Sequence, residues 1–238
     1  YQLATGDDTF FEDLKKCCDL LAGRVSENGR MGHSYDVPYE RTGLVIINVQ
    51  AHLAWALASK CDYKIDSKAR DRSMVEIRKS IGPNTGGLGY SSRVPDYPDI
   101  PARTGAMATA LAITGEEPKM AKGFANALVK YQARMRHAHS MTSIGLIYGM
   151  AGIKSVDPEA HGAVMKKWIP YLELSRTSIG TAAYFGSKRN YAGDAYLGYH
   201  PIGNATVALM LASAENKLFI HGGTKRNWLK KSSGPNIK

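Results

Sequence analysis

Ala102-Arg103-Thr104-Gly105-Ala106-Met107-Ala108-Thr109-Ala110-Leu111-Ala112-Ile113-Thr114 carries a single charge in thirteen residues and is otherwise small or apolar. A helix of this composition has no solvent face, so it has to be surrounded. The stretch that follows, Glu116–Arg136, is the opposite: charged, amphipathic, and opened by Pro118 in its first turn. The same contrast recurs along the chain. Thr42–Lys60, Ala102–Thr114, Ser140–Ile153 and Ile202–Ala214 are small-residue, nearly all-apolar helices; Asp66–Ser80, Glu116–Arg136 and Pro158–Arg176 are amphipathic ones. Buried helices alternating with half-solvated helices predict two concentric layers, an all-α fold of the α/α toroid kind, incomplete or open because only seven or eight helices are legible.

The rest of the chain fits around this alternation. Asp8–Leu21 has Phe10, Phe11, Leu14, Cys17, Cys18, Leu20 and Leu21 on a helical stripe, with Asp7 or Asp8 as N-cap. On Asp66–Ser80 the inward positions read as Met74, Val75 and Ile77. Pro170 predicts a kink in its helix. Long Gly- and Tyr-bearing loops, Gly82–Pro101 and Ser178–Pro201, each precede an apolar helix, and Gly87–Ser91 and Ala182–Phe185 read as small hairpins. Lys217–His221 reads as a short strand. Ser80-Ile81-Gly82 recurs as Ser178-Ile179-Gly180, and Gly105 as Gly203, both at an offset of 98, which predicts an internal duplication. Arg41-Thr42-Gly43 and Arg103-Thr104-Gly105 both read as openings of inner helices. Gly145, Gly149 and Gly152 read as sites of close helix approach.

Composition narrows the function classes. Of 238 residues, 44% are hydrophobic and 22% charged, which excludes wholesale disorder. No apolar run approaches the roughly 18–20 residues of a membrane span. The net charge of +10 invites a nucleic-acid reading, but all twenty-one acidic residues lie at or before Glu215 and six basic ones follow it. The body therefore carries only +4, and no helix-turn-helix, zinc-finger, RNP or KH signature accompanies it. Cys17, Cys18 and Cys61 form no CxxC pair, allow at most one disulfide through Cys61, and read as small buried hydrophobes. The first residue is Tyr and no leader follows, so the sequence reads as part of a longer protein, with export favoured over the cytoplasm.

Gly86-Gly87-Leu88-Gly89-Tyr90, the ARTGA segment at 102–106 and the Ala110-Leu111 pair resemble the α/α toroid of squalene cyclases, protein prenyltransferase β-subunits and complement thioester domains. Four stretches carry a nearer resemblance: ARTGA at 102–106, Arg134–His139, Ser143–Tyr148 and Gly193–Gly198. They resemble an uncharacterised bacterial family of unknown function, whose members place such a toroid after a PDZ-like region. The resemblance spans about residues 30–220 and implies that a PDZ-like part would precede Tyr1. The chemistry of the better-known relatives is not carried over. The sequence has no DxDD acid, no DDxxD magnesium motif (Asp7-Asp8 stands alone), no zinc-holding Asp–Cys–His set in the expected region and no GCGEQ-like thioester.

Candidate functional residues cluster in the loops, where a toroid opens at its rim. Eight of thirteen tyrosines are there: Tyr35, Tyr39, Tyr90, Tyr97, Tyr184, Tyr191, Tyr196 and Tyr199. A phenol offers a flat apolar face and a hydrogen-bonding tip, suited to sugars and peptides or to packing loops onto helix ends. His33, with Asp36, Tyr39 and Glu40 close behind, reads as an oriented general base or a loop histidine bonded to backbone. His137 and His139, beside Arg134 and Arg136, lack a third ligand at defined spacing, so the sequence calls for no metal and no cofactor. They read instead as anion contacts at a helix N-terminus, or as simple caps. Asp194 with Tyr196 and His200 forms the last cluster, with Asp96 and Asp99 in the corresponding first loop. Paired loop carboxylates serve glycosidase or lyase chemistry; Asp in these contexts also caps turns. Arg103 reads either as a bidentate clamp for an anionic ligand or as a tie to a loop carboxylate.

The sequence thus predicts one toroid domain over residues 1–220 and a basic tail over 221–238. It predicts a non-catalytic binding or scaffold module for a polar small molecule, glycan or peptide, with ligand contacts from Tyr39, Tyr90, Arg103, Arg136, Tyr196 and His200. Nucleic acid is not a predicted partner. The alternative is a carbohydrate-active hydrolase or lyase using His33, Asp194 and His137 or His139.

Overall fold

The computed structural model describes residues 1–33, 43–140, 142–182, 199–216 and 218, with 137–140, 142, 199 and 200 as backbone alone. The regular elements among the described residues are helices: α1 Gln2–Thr5, α2 Phe11–Gly23, α3 Val45–Ser59, α4 Ser67–Lys79, α5 Pro101–Thr114, α6 Pro118–Lys130, α7 Thr142–Val156, α8 Pro158–Leu174 and α9 Tyr199–Ala214. A 3-10 helix, Gln132–Ser140, leads into α7. Isolated antiparallel bridges, Ile81 with Leu88, Ser91 with Val94 and Arg176 with Ala182, are the extended pairings among these residues.

Local chemistry sets the helix ends. Asp66 accepts a hydrogen bond from the Ala69 amide at 3.0 Å and opens α4, whose last turn holds Arg78 and Lys79. Asp157 caps α8 by accepting from the Ala160 amide at 2.9 Å, ahead of Pro158 at the first helical position. The Lys122 ammonium and the Ala160 amide hold the Asp157 carboxyl below its ordinary range. α2 begins at Phe11, later than the sequence suggests, because Asp7 is engaged elsewhere. Its Oδ1 accepts from the Thr9 amide and hydroxyl, and its Oδ2 from the Tyr1 hydroxyl. α6 stops at Lys130 instead of running to Arg136; the tighter 3-10 turn that follows carries Met135, fully buried, down against Gly149. α8 runs through Pro170, which lies on its exposed side.

Packing follows the two helix types. α5 lies between α3 and α7, and α7 also packs on α9. α4 packs on α3, α6 on α5 and α7, and α8 on α7 and α9. Every residue of α5 from Pro101 to Leu111 is buried. On the amphipathic helices the buried set is one stripe: Ala69, Ser73, Met74, Glu76 and Ile77 on α4, and Ala121, Phe124, Ala125, Ala127 and Leu128 on α6. Val75, expected inside, is 45% exposed, because at 100° per residue it falls off the Ser73–Met74–Ile77 stripe. α2 covers α3 and α4 over a second, smaller core of Cys18, Val25, Met31, Trp55 and Tyr63. Cys18 and Cys61 are buried, Cys17 is exposed, and all three are free thiols.

Two seams hold the apolar helices differently. At the α5–α7 crossing a Cβ added to Gly105 would lie 2.1 Å from the Tyr148 carbonyl oxygen, and one added to Gly152 would lie 2.7 Å from Gly105 Cα. Backbone touches backbone there, which only glycine permits. Along α3 and α4 the contact is polar. Asn48 Nδ2 donates to the Gly29 carbonyl at 2.8 Å and to Ser73 Oγ at 2.7 Å, and His52 Nε2 is 3.1 Å from the same Oγ. Gly29 sits at φ +83 with the Arg72 carbonyl where its Cβ would be, so the loop can pass close enough to offer its carbonyl.

Candidate functional site

The site grows out of the long connection between α4 and α5. Ser80, the C-cap of α4, accepts on its carbonyl from the Gly89 amide at 2.9 Å, and Gly82 donates to Gly87 at 2.8 Å, so the loop doubles back at once. Glu76 is buried under it. Its carboxylate accepts from Arg30 Nε at 3.4 Å and from the Ser92 amide at 3.3 Å. Asp96 closes the outer turn, accepting from the Asn84 amide at 3.0 Å, Asn84 Nδ2 at 2.9 Å and the Thr85 amide at 3.3 Å. That is turn chemistry, one of the two readings open for this residue. The Leu88 amide donates to Thr104 Oγ1 at 2.9 Å, pinning the loop to the first turn of α5.

Arg103 stands at the centre of this loop, 1% exposed. Its Nε donates to the Leu88 carbonyl at 3.1 Å and its Nη2 to the Asp99 carbonyl. The guanidinium carbon lies 5.9 Å from the Tyr90 ring centre and 5.7 Å from that of Tyr97, and the two rings are 5.7 Å apart. Cation–π contact at this range compensates part of the charge. Nη1 is buried and has no hydrogen-bond partner among the described residues. Burial pushes the guanidinium down to about 10, against the opposing pull of Asp99, Tyr97 and Tyr90. Arg103 therefore bonds two loop carbonyls and keeps Nη1 without a hydrogen-bond partner among the described residues.

The neighbourhood is rich in further arginine and tyrosine. Arg134 Nη1 stands 4.0 Å from Asp99 Oδ1, half exposed. Arg136, two residues on, lies with its guanidinium carbon 5.6 Å from the Tyr171 ring, which in turn meets Trp168 edge-on at 5.2 Å. Tyr97 is 40% exposed, so the face reaches solvent.

The family model for Domain of unknown function (DUF6288) matches residues 1–222. The chain belongs to this family. No curated protein and no solved structure matches the chain. The DUF6288 match thus covers the whole of the described helical body and identifies a domain whose function is unknown.

Within the DUF6288 domain the structure brings together Tyr90, Tyr97, Arg103 and Asp99 from the expected residues, and adds Arg134. His33 is exposed, beside the Gly32 carbonyl to which Arg24 Nη2 donates at 2.8 Å. Tyr39, Asp194 and Tyr196 lie outside the described residues, as do Asp36 and Glu40; His137, His139 and His200 lie on helices whose side chains there are not described. Lys217 and residues 219–221 of the expected strand also lie outside. Arg41 and Thr42 do as well, while Gly43 has φ +67 ahead of α3 and Gly105 lies inside α5, so the two Arg-Thr-Gly triplets occupy different positions. Among the described residues no group of three or more His, Cys, Asp or Glu stands ready for a metal ion, and no helix is long and apolar enough to cross a membrane.

Sequence reading missed the buried polar set. Asn48, His52 and Ser73 are all within 6% of full burial, and burial lowers the His52 imidazole to about 4. The signal was present: polar residues four apart on the otherwise apolar α3 share one face.

Proposed function

We propose that the DUF6288 domain is a non-catalytic binding module that takes a carboxylate-bearing glycan or peptide segment at the Arg103–Tyr90–Tyr97 rim. The observation that carries this reading is the buried Arg103 guanidinium set against an adjacent pair of tyrosine rings, with Nη1 left without a hydrogen-bond partner among the described residues. The buried charge is held by two carbonyls and two π faces with Asp99 pulling on it, yet one nitrogen stays unbonded, and a ligand carboxylate supplies that bond. Arg134 and Arg136 extend the positive face, and the partly exposed tyrosines offer stacking surfaces for a sugar ring or a peptide plane.

The architectural part of the proposal is an open α/α toroid. It is supported by the alternation of α3, α5, α7 and α9 with α4, α6 and α8, and by the contacts of the first set with one another. A duplicated helix–loop–helix plan is supported by matching junctions, which pair Ser80 with Ser175 and so do not keep the offset of 98 that relates the two Ser-Ile-Gly triplets. Ser80 and Ser175 each cap an outer helix and return a hydroxyl bond to the carbonyl four residues back. Each is followed by a bridge, Ile81 with Leu88 and Arg176 with Ala182. The far bridge residues then donate to the first turn or so of the next apolar helix, Leu88 to Thr104 and Ala182 to Asn204. The proposal reads the family as bacterial and the module as coupled to a PDZ-like peptide-binding region, on the strength of the sequence resemblance.

Isothermal titration with an acidic hexasaccharide, its neutral counterpart and an acidic hexapeptide tests the binding claim. Tyr97→Ala, on the exposed side of the pair, weakens acidic-ligand binding about tenfold while leaving the melting curve in place. Equal affinity for acidic and neutral ligands, or turnover of either saccharide, contradicts it.

A further inference from the structure

Taking the Arg103 rim as the ligand site put forward above, we propose that the Asp99 carboxylate is a built-in competitor for it. The carboxylate offsets the charge of Arg103 and Arg134, and a ligand carboxylate gains both arginines by displacing it. Asp99 is held where the two cations meet. Its carbonyl accepts from Arg103 Nη2, which fixes the backbone one residue before Ile100, the N-cap of α5. Its carboxylate faces Arg134 Nη1 at 4.0 Å, and its charge also acts on the Arg103 guanidinium. The carbonyl can therefore stay in place while the side chain turns away.

The three carboxylates of this region differ in what holds them. Asp96 accepts from the Asn84 amide, Asn84 Nδ2 and the Thr85 amide, so moving it would open the outer turn. Glu76 is buried, with Arg30 on one oxygen and the Ser92 amide on the other. The Asp99 carboxylate meets Arg134 beyond hydrogen-bond length. The two side chains are 20% and 51% exposed, so water screens that contact and its exchange costs little. The gain on the other side is larger. Arg103 is 1% exposed, and its Nη1 has no hydrogen-bond partner among the described residues. A ligand carboxylate that takes over Arg134 and reaches Nη1 makes a bond that Asp99 does not make. A buried guanidinium needs a nearby counter-charge, which Asp99 supplies to the protein by itself and the ligand supplies in the complex. An arriving carboxylate is repelled by Asp99 as well as attracted by the arginines, whereas a neutral sugar gains nothing from displacing it.

The test is isothermal titration of the acidic hexasaccharide and its neutral counterpart into the parent, Asp99→Asn, and Asp99→Asn combined with Arg134→Gln. Asp99→Asn keeps the side-chain shape and the backbone carbonyl and removes the charge. Its preference for the acidic over the neutral saccharide is expected to exceed the parent's about tenfold. Adding Arg134→Gln is expected to remove most of that gain, because one of the two cations is gone. Asp99→Ser also removes the charge, is expected to match Asp99→Asn, and covers a failure of that variant to fold. If the parent discriminates and neither Asp99 variant does so more strongly, the competitor is overturned and the rim reading stands. If neither the parent nor the Asp99 variants discriminate, both are overturned. Discrimination present in the Asp99 variants alone supports the competitor. A gain that survives Arg134→Gln undiminished overturns it, since the carboxylate then does not serve both arginines.

Discussion

The seam between α5 and α7 and the seam between α3 and α4 solve one problem in opposite ways. Both press an apolar helix against its neighbour. The first does it by removing side chains, leaving Gly105 and Gly152 in backbone contact. The second inserts polar side chains, with Asn48 Nδ2 and His52 Nε2 both on Ser73 Oγ and Asn48 Nδ2 also on the Gly29 carbonyl, while Asn48 Oδ1 has no hydrogen-bond partner among the described residues. The difference lies in what each tolerates. A glycine seam has no slack, because any added atom meets backbone that cannot rotate away. A polar seam is tolerant of volume but sensitive to loss of a partner, since each orphaned buried group carries its desolvation penalty.

Substitutions separate the two. The largest effect is expected for Gly152→Val: its Cβ already meets Gly105 Cα and carbonyl oxygen at 2.7 Å, and the extra methyls make it worse. Urea denaturation should show a loss of about 4 kcal/mol or more, or no cooperative transition at all. At the polar seam Asn48→Ala strips two donors from their acceptors. It is expected to lower stability by about 2 kcal/mol in the same experiment.

The polar seam alone carries a pH signature. His52 has a folded value of about 4 against an ordinary 6.5, because burial disfavours the imidazolium. The unfolded chain therefore binds the extra proton between those values, so stability is full above pH 6.5 and falls as pH drops toward 4. The loss from this group amounts to at most about 3 kcal/mol. In His52→Gln, which can still meet Ser73, the stability–pH curve should be flatter over that window. The smallest effect concerns the cysteines. Cys17 is exposed, whereas burial raises the Cys18 thiol to about 11 and raises Cys61 as well. One thiol should react promptly with an aromatic disulfide reagent in the native protein and two only on unfolding; three prompt thiols would break the account of the smaller core.

These contrasts also explain what the sequence made legible. The glycine seam shows in composition: Gly149 and Gly152 stand on an all-apolar helix, and Gly105 stands inside the ARTGA stretch. Helix class was legible for the same reason, since α5 and α6 differ in every third or fourth residue. The polar seam was not, because hydrogen bonds between Asn48 on α3, Ser73 on α4 and Gly29 in a loop join positions far apart in the chain. At the rim, Tyr90 and Arg103 were legible as loop and helix-start residues. Their grouping with Tyr97, Asp99 and Arg134 depends on a loop that folds back at Gly82 and Gly89, which periodicity does not encode. Val75 and Cys17 were misread through one error, treating apolar character as a sufficient sign of burial.

The central claim is that α5 and α7 meet through glycine backbone with no room to spare. Urea denaturation of Gly105→Ala beside Gly123→Ala tests it most directly, because the two carry the same chemical change. Gly123 lies on the exposed face of α6, where a Cβ meets nothing within 4 Å, whereas a Cβ added to Gly105 would lie 2.1 Å from the Tyr148 carbonyl oxygen. The account predicts opposite signs: a gain of up to about 1 kcal/mol for Gly123→Ala from helix propensity, and a loss of about 3 kcal/mol for Gly105→Ala from overpacking. A Gly105→Ala protein as stable as the parent, or stabilised alongside Gly123→Ala, would contradict it.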